Sequence, residues 1–370
     1  MKLILALLLA QAKPYPGVDQ NRVDGAIDRG AEWLMKQKFE PWGYHDHGNV
    51  RHHDLVLYAL FHAGVDPQNE TFQKLLKFCL EAPLERTYCV SIQAMFLSEF
   101  DPVKYQGRLK QCCQFLVDNQ CKNGQWSYGR EVPQDKDVPT GGGERPDVAT
   151  GTAPAKPGTR AAPKRPEKAI HIRRRERADK DSGDNSNSQY AALGLRACME
   201  ANVWPPAETL KDAMHWFENA QNKDGGWSYE GKETKSYGSM SAGALGCLII
   251  YKHYLRENWR ADKRVGDGVQ WLAKNWSPRV NPGTNEGFVW LYYYLYAVER
   301  AGILTGLDKF GPVDWYREGA NFILDAQAAD GSWSEGNTYG GPVKDVCFAI
   351  LFLRRATVPL PKVATGSPKR

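Results

Sequence analysis

The 370-residue chain has no apolar run approaching the roughly 18 residues that a membrane-crossing helix needs. Its longest stretches, such as Leu245 to Tyr251, are soon interrupted by Lys, His or Arg, which excludes an internal transmembrane helix. The eight cysteines, at 79, 89, 112, 113, 121, 198, 247 and 347, lack the paired short spacing that grips zinc or frames a disulfide-dense domain. Most sit inside apolar helical patterns, where a thiol serves as a small core side chain. Strict apolar-polar alternation, the mark of a half-buried strand, is missing between the helical segments. Aromatics are absent from residues 130 to 183, in a chain that is otherwise 11% aromatic.

What is present describes a globular body: 42% hydrophobic and 25% charged residues. The net charge of +5 is concentrated in residues 130 to 183, where thirteen Lys and Arg face nine Asp and Glu. The remainder is nearly neutral, so a nucleic-acid face on the folded body is disfavoured. Arg173, Arg174, Arg175 and Arg177 are the one candidate for contact with an anionic surface, against the ordinary reading of a solvated linker. The same stretch holds seven prolines and a Gly141-Gly142-Gly143 run, a composition that cannot bury a core. At the start, Met1-Lys2, an apolar stretch from Leu3 and the small-residue site Ala10-Gln11-Ala12 have the parts of a secretory signal over residues 1–12. The expected location is the periplasm or the extracellular space.

Four segments repeat one pattern: Trp33 to Trp42 reads WLMKQKFEPW, Phe115 to Trp126 FLVDNQCKNGQW, Phe217 to Trp227 FENAQNKDGGW and Phe322 to Trp333 FILDAQAADGSW. Each is an apolar helix end, then Gln, then a polar turn closing on Trp. Their intervals, less an insertion of about 54 residues, fit a unit of roughly 42 to 53 residues repeated six times. Periodicity divides each unit into an amphipathic helix (22–36, 70–81, 104–119, 206–220, 260–275, 312–326) and one apolar around most of its circumference (53–63, 87–99, 187–201, 238–255, 286–301, 344–355). A helix with one wet stripe belongs outside and one with none belongs inside. The expectation is an all-α fold, an (α/α)6 toroid formed by residues 13–129 and 184–356, with 130–183 as a loop insertion and 357–370 as a tail.

The Gln-to-Trp turns at Gln120 to Trp126, Gln221 to Trp227 and Gln327 to Trp333 resemble the QW motif of the terpenoid cyclase toroids, the superfamily of squalene/hopene cyclases and protein prenyltransferase β-subunits; the copy at Gln37 to Trp42 lacks the Gly. The physical sense of the motif is that Gln bonds backbone groups at a helix end while the Trp ring packs on the neighbouring outer helix. In such a ring the first turns of the inner helices surround one mouth of a central cavity.

Those turns supply the candidates. Squalene and hopene cyclases, which this chain resembles, protonate an alkene with an Asp-x-Asp-Asp acid. The best-matching position here reads Asp184-Asn185-Ser186-Asn187, where Ser and Asn cannot supply that proton. Authentic polycyclisation is therefore disfavoured, and Asp184, Asn185, Asn187 and Gln189 stand as the polar candidates for any catalysis. The prenyltransferase resemblance implies a zinc held by an Asp-x-Cys pair, matched by Asp345 and Cys347, with His52 on the first inner helix next to the sixth in a closed ring. A buried core thiol is the competing reading of Cys347. His45-Asp46-His47 with His52-His53 is a second metal candidate against a solvated loop. Tyr190, Tyr237, Glu286, Phe288, Trp290 and Tyr293 would line an apolar ligand site.

Three functions remain open. One is an isoprenoid or lipid-like ligand in an apolar central cavity, with or without transferase or cyclase chemistry. The second is a non-catalytic toroid that binds a protein or an apolar molecule and has its cavity filled by its own side chains. The third is a carbohydrate-active (α/α)6 enzyme, which needs two carboxylates from Asp54, Glu85, Asp184, Glu286 and Asp345 at about 5 to 9 Å. Complement-type thioester toroids are excluded, because their Cys-Gly-Glu-Gln signature is missing.

Overall fold

The computed structural model describes residues 15–38, 52–132, 163–176, 180–232, 235–284, 289–335 and 341–361. The leader expected at 1–12 lies outside them. Twelve α-helices occur among the described residues. Six are amphipathic and outer: α1 (Gln20–Met35), α3 (Glu70–Glu81), α5 (Gln106–Asp118), α7 (Ala207–Ala220), α9 (Lys263–Asn275) and α11 (Trp315–Ala326). Six are inner: α2 (His53–Ala63), α4 (Thr87–Phe100), α6 (Asn185–Glu200), α8 (Gly238–Tyr254), α10 (Leu291–Thr305) and α12 (Gly341–Arg354). Each inner helix packs on the next, and α12 packs on α2, so the ring closes. The protein is an (α/α)6 toroid.

Burial follows from the sequence pattern. Every residue of α2 is buried, and α8 is buried throughout except at His253 and Tyr254; a helix without a wet face is stable only when surrounded. Four of the six outer helices, α1, α3, α9 and α11, begin on side-chain caps that satisfy free amides of the first turn. Asp19, Asn69 and Asp262 each accept two such N–H groups, at α1, α3 and α9. Two inner helices, α2 and α10, stop on left-handed glycines where the chain must reverse, Gly64 (φ 87°) and Gly306 (φ 71°).

The Gln-to-Trp turns act as fasteners between units. The side-chain amide of Gln120 donates to the carbonyls of Gly124 and Thr209, that of Gln221 to Gly225 and Arg264, and that of Gln327 to Gly331 and Ala26. Each Gln thereby ties its own turn to the first turns of the next outer helix. The Trp126, Trp227 and Trp333 rings are fully buried, and each indole N–H donates to a carbonyl ten residues back, of Leu116, Phe217 and Ile323. Gly124, Gly225 and Gly331 all hold φ between 90° and 95°, a region an L side chain rarely adopts. Gln37, just past the end of α1, instead donates back to the Trp33 carbonyl of that helix, and Trp42 lies outside the described residues.

Three expectations are corrected. The fifth inner helix begins at Leu291 rather than 286 and runs to Thr305 rather than 301. It stops on Gly306, in the left-handed conformation. A short parallel strand pair, β1 (Ile170–His171) and β2 (Val203–Trp204), is present. The end of the insertion, finally, packs on the body instead of running free in solvent. Arg175 binds the buried Asp118 carboxylate through its backbone N–H (3.0 Å) and Nε (3.1 Å), Arg174 donates to Gln120 Oε1 (2.6 Å) and Thr209 Oγ1 (2.9 Å), and Ile172 is buried. These arginines serve internal contacts; Arg177 lies outside the described residues. The tail also begins as structure: Thr357 is buried and gives two hydrogen bonds to Glu299 of α10.

Candidate functional site

The first turns of the inner helices form a rim of half-buried side chains: His52 before α2, Tyr88 on α4, Ser186 on α6, Tyr237 before α8 and Trp290 before α10, joined by Tyr128 and Tyr229 from the turns. Trp290 has φ 61°, a left-handed conformation that a bulky residue takes only where its surroundings impose it. Its ring covers Lys344 Nζ at 4.9 Å, and the next amide, of Leu291, is held by Glu335.

Beneath the rim the polar candidates are committed to internal bonds. Asp184 caps α6, its carboxylate accepting from the Asn187 backbone N–H (2.7 Å) and side-chain amide (2.8 Å). Burial pushes its pKa up, and those donors oppose the shift. Asn185 donates to Ser228 O and accepts from Gln125 and Trp216. Asn187 Oδ1 is buried without a partner among the described residues.

Deeper still, the barrel axis is occupied. Arg300 of α10, only 2% exposed, donates to Gln189 Oε1 (2.7 Å), and Gln189 Nε2 donates to the Tyr293 hydroxyl (2.6 Å). Tyr293 is bonded to Ser186 (2.7 Å), and Ser186 in turn to Tyr88. The guanidinium lies over the Tyr296 and Tyr190 rings at 4.3 and 5.4 Å, and Tyr296 stacks on Phe348. Tyr190, Tyr293, Tyr296 and Phe348 are each no more than 6% exposed. A chamber wide enough for an isoprenoid would leave these faces accessible. The expected apolar central cavity is therefore not formed by the described residues; aromatic side chains and one buried cation fill it. A cleft of about 40 Å³, room for a few waters, lies instead at the opposite mouth, lined by Tyr58, Met95, Glu99, Leu193, Arg196 and Glu200 and roofed by Thr357 and Val358.

The zinc expectation is also corrected. Asp345 is paired with Lys344 (2.6 Å) and accepts from the Glu335 amide (3.1 Å); burial pushes its pKa to about 6, Lys344 opposing and Glu335 reinforcing the shift. Cys347 is fully buried, and burial drives its thiol well above the ordinary range. Among the described residues no three His, Cys, Asp or Glu side chains converge as a metal site. His53 stacks on Phe78 at 4.1 Å, and His45, Asp46 and His47 lie outside the described residues. Glu286 and Phe288 do so as well. Of the remaining carboxylates, Asp54 is buried and accepts from Gln93 (3.1 Å).

Arg300, Lys344 and Glu335 were not expected to matter. A signal for Arg300 exists: it lies seven residues after Tyr293 in a nearly apolar helix, hence on the same face.

Comparison with protein-family models and with curated proteins gives no match. Among solved structures the chain is similar to a possible member of the GH105 family from Salmonella enterica, at 10% identity and a TM-score of 0.54 over 96% of this chain and 98% of that one. It is similar to a possible GH105 member from Klebsiella pneumoniae at 9% identity and 0.54, over 93% and 95%. It is likewise similar to the type II terpene cyclase MstE from Scytonema, solved as a variant in complex with its substrate geranylgeranyl dihydroxybenzoate, at 12% identity and 0.51 over 91% and 97%. At these identities the likeness establishes the toroid architecture, which the helix order and ring closure show independently.

Proposed function

We propose that the protein is a non-catalytic recognition toroid that binds a protein partner across the rim formed by Tyr88, Tyr128, Ser186, Tyr229, Tyr237 and Trp290. The observation that carries this reading is the filled axis. With Tyr190, Tyr293, Tyr296, Gln189 and Arg300 packed together, the described residues offer recognition surface and no chamber in which to enclose an isoprenoid. Half-buried Tyr and Trp side chains with polar tips are the groups that dominate protein interfaces. Asp184, Asn185 and Asn187 then hold the rim from below and do not act on a substrate. Any carbohydrate-active chemistry would need two exposed carboxylates at this mouth, and Asp184 and Asp345 are both spent on internal partners.

The test is a photo-crosslinking residue placed at Tyr237 in cells that make the protein, with Lys263, exposed on an outer helix, as the control site. A polypeptide crosslinked from position 237 and not from 263 is expected. A stoichiometric isoprenoid released from the native protein, seen by intact-mass spectrometry, overturns the reading.

A further inference from the structure

Cys198 of α6 turns its thiol into α5. Its sulfur lies 3.6 Å from the carbonyl oxygen of Leu109, the acceptor that α-helical geometry also gives to the amide of residue 113. The side chain of Cys113 belongs to that same turn, and the two thiols are joined by a side-chain hydrogen bond. Both are free thiols and fully buried, on an outer and an inner helix that pack directly on one another. Cys112, one position earlier and about 100° round the helix, points elsewhere: its thiol donates to Gln93 Oε1 on α4 at 3.9 Å. Proximity is the first condition for a disulfide, and Cys113 and Cys198 meet it across two packed helices.

The junction is also where a covalent tie has most to hold. Between α5 and α6 runs the longest connection between consecutive helices of the ring, and a cross-link across a long loop removes more freedom from the unfolded chain than one across a short turn. We infer that Cys113 and Cys198 form a disulfide when the chain folds in the presence of a small-molecule disulfide such as oxidised glutathione, stapling α5 to α6 across the insertion. The thiolate of one cysteine displaces a glutathione thiol and leaves a mixed disulfide; the thiolate of the other attacks the protein sulfur of that bond and releases the second glutathione. The protein loses two electrons and two protons, and the donor departs as two thiols. In the closed ring neither sulfur is accessible, and burial holds the Cys198 thiol above its ordinary range. The exchange therefore belongs to the folding chain, before α5 meets α6, and the finished bond is shielded from reductant by the same burial. This pairing is independent of what the rim binds.

The test starts from the full chain, unfolded in urea with every thiol reduced, and diluted either into a mixture of reduced and oxidised glutathione or into dithiothreitol. Remaining thiols are alkylated and the chain is digested without reduction. A cross-link between the peptides holding residues 113 and 198 is expected in most molecules of the glutathione arm and in none of the other, with a Tm higher by roughly 5 to 10 °C in the cross-linked form. Residues 112 and 113 share one tryptic peptide, between Lys110 and Lys122, so two variants assign the partner. Cys112→Ala should keep the cross-link; Cys113→Ala should lose it together with the Tm difference. Should refolding from urea be incomplete, the native chain held in sub-denaturing urea with the same glutathione mixture is mapped in the same way, and the same pair is expected. Eight alkylated cysteines, a dominant pairing other than 113 with 198, a cross-link that survives in Cys113→Ala, or an oxidised form no more stable than the reduced one overturns the inference.

Discussion

The side-chain amide of Gln327 donates to the carbonyl of Ala26 at 2.9 Å, joining residues 301 apart in sequence. This bond ties the last outer unit to the first, where the ring has no covalent connection, whereas the equivalent bonds from Gln120 and Gln221 reinforce units already linked by the chain.

Replacing Gln327 with Ala removes both amide bonds and leaves the Ala26 and Gly331 carbonyls short of a donor. The expected cost is about 2 kcal/mol, near 1 kcal/mol per bond. Urea denaturation checks it. The transition should also broaden, because the first and last units can then separate before the rest; an unchanged midpoint and slope would refute the fastening role.

Glu299 makes stability depend on pH. Burial is the main cause that pushes its pKa from 4.5 to about 7, against the Thr357 hydrogen bonds and the pull of Arg300 and Arg355. A carboxyl raised on folding binds its proton more tightly in the folded state. Its contribution is thus full below pH about 4.5 and is lost as pH rises through about 7, by roughly 3 kcal/mol in all. Glu299→Gln, which keeps an acceptor for Thr357, should flatten that part of the stability profile. A wild-type slope in the variant, measured by denaturation between these limits, would assign the effect elsewhere.

Lys252 is 3% exposed and is held by Glu218 (2.6 Å), Glu257 (2.9 Å) and Asp262 (3.0 Å), joining α8 to the end of α7 and the start of α9. Burial alone would lower its pKa, but the three carboxylates outweigh it and hold the ammonium above its ordinary range. Lys252→Met strands those carboxylates around an apolar chain and should cost about 3 kcal/mol. Calorimetry would register this as a lowered Tm, partly recovered in acid as the carboxylates protonate.

Much of this architecture is legible along the chain because its causes are local. The greasy circumference of 53–63 or 238–254, the wet stripe of 263–275 and the Gln-to-Trp turns each depend on neighbours within one helix or one turn, and periodicity records them directly. The fifth inner helix starts later than periodicity indicates for a local reason too: Trp290 takes a left-handed conformation that no propensity scale favours for it. The docked arginines show the converse limit. Their composition is that of a solvated linker, and only the buried Asp118 carboxylate on another element makes Arg175 a structural residue.

The contents of the axis had a different origin. Gln189, Tyr293 and Arg300 are each ordinary members of their helices, and an apolar helix with aromatic residues suits an open ligand chamber as well as a filled one. Sequence determined that six such helices face inward; it could not determine how far their side chains reach across the ring. That depended on the closing radius, set by how tightly α4 meets α6 and α8 meets α10, and on Gly243, whose missing β-carbon leaves the space that the Gln189 amide occupies. Packing between residues more than a hundred positions apart decided whether the centre would be a cavity or a core.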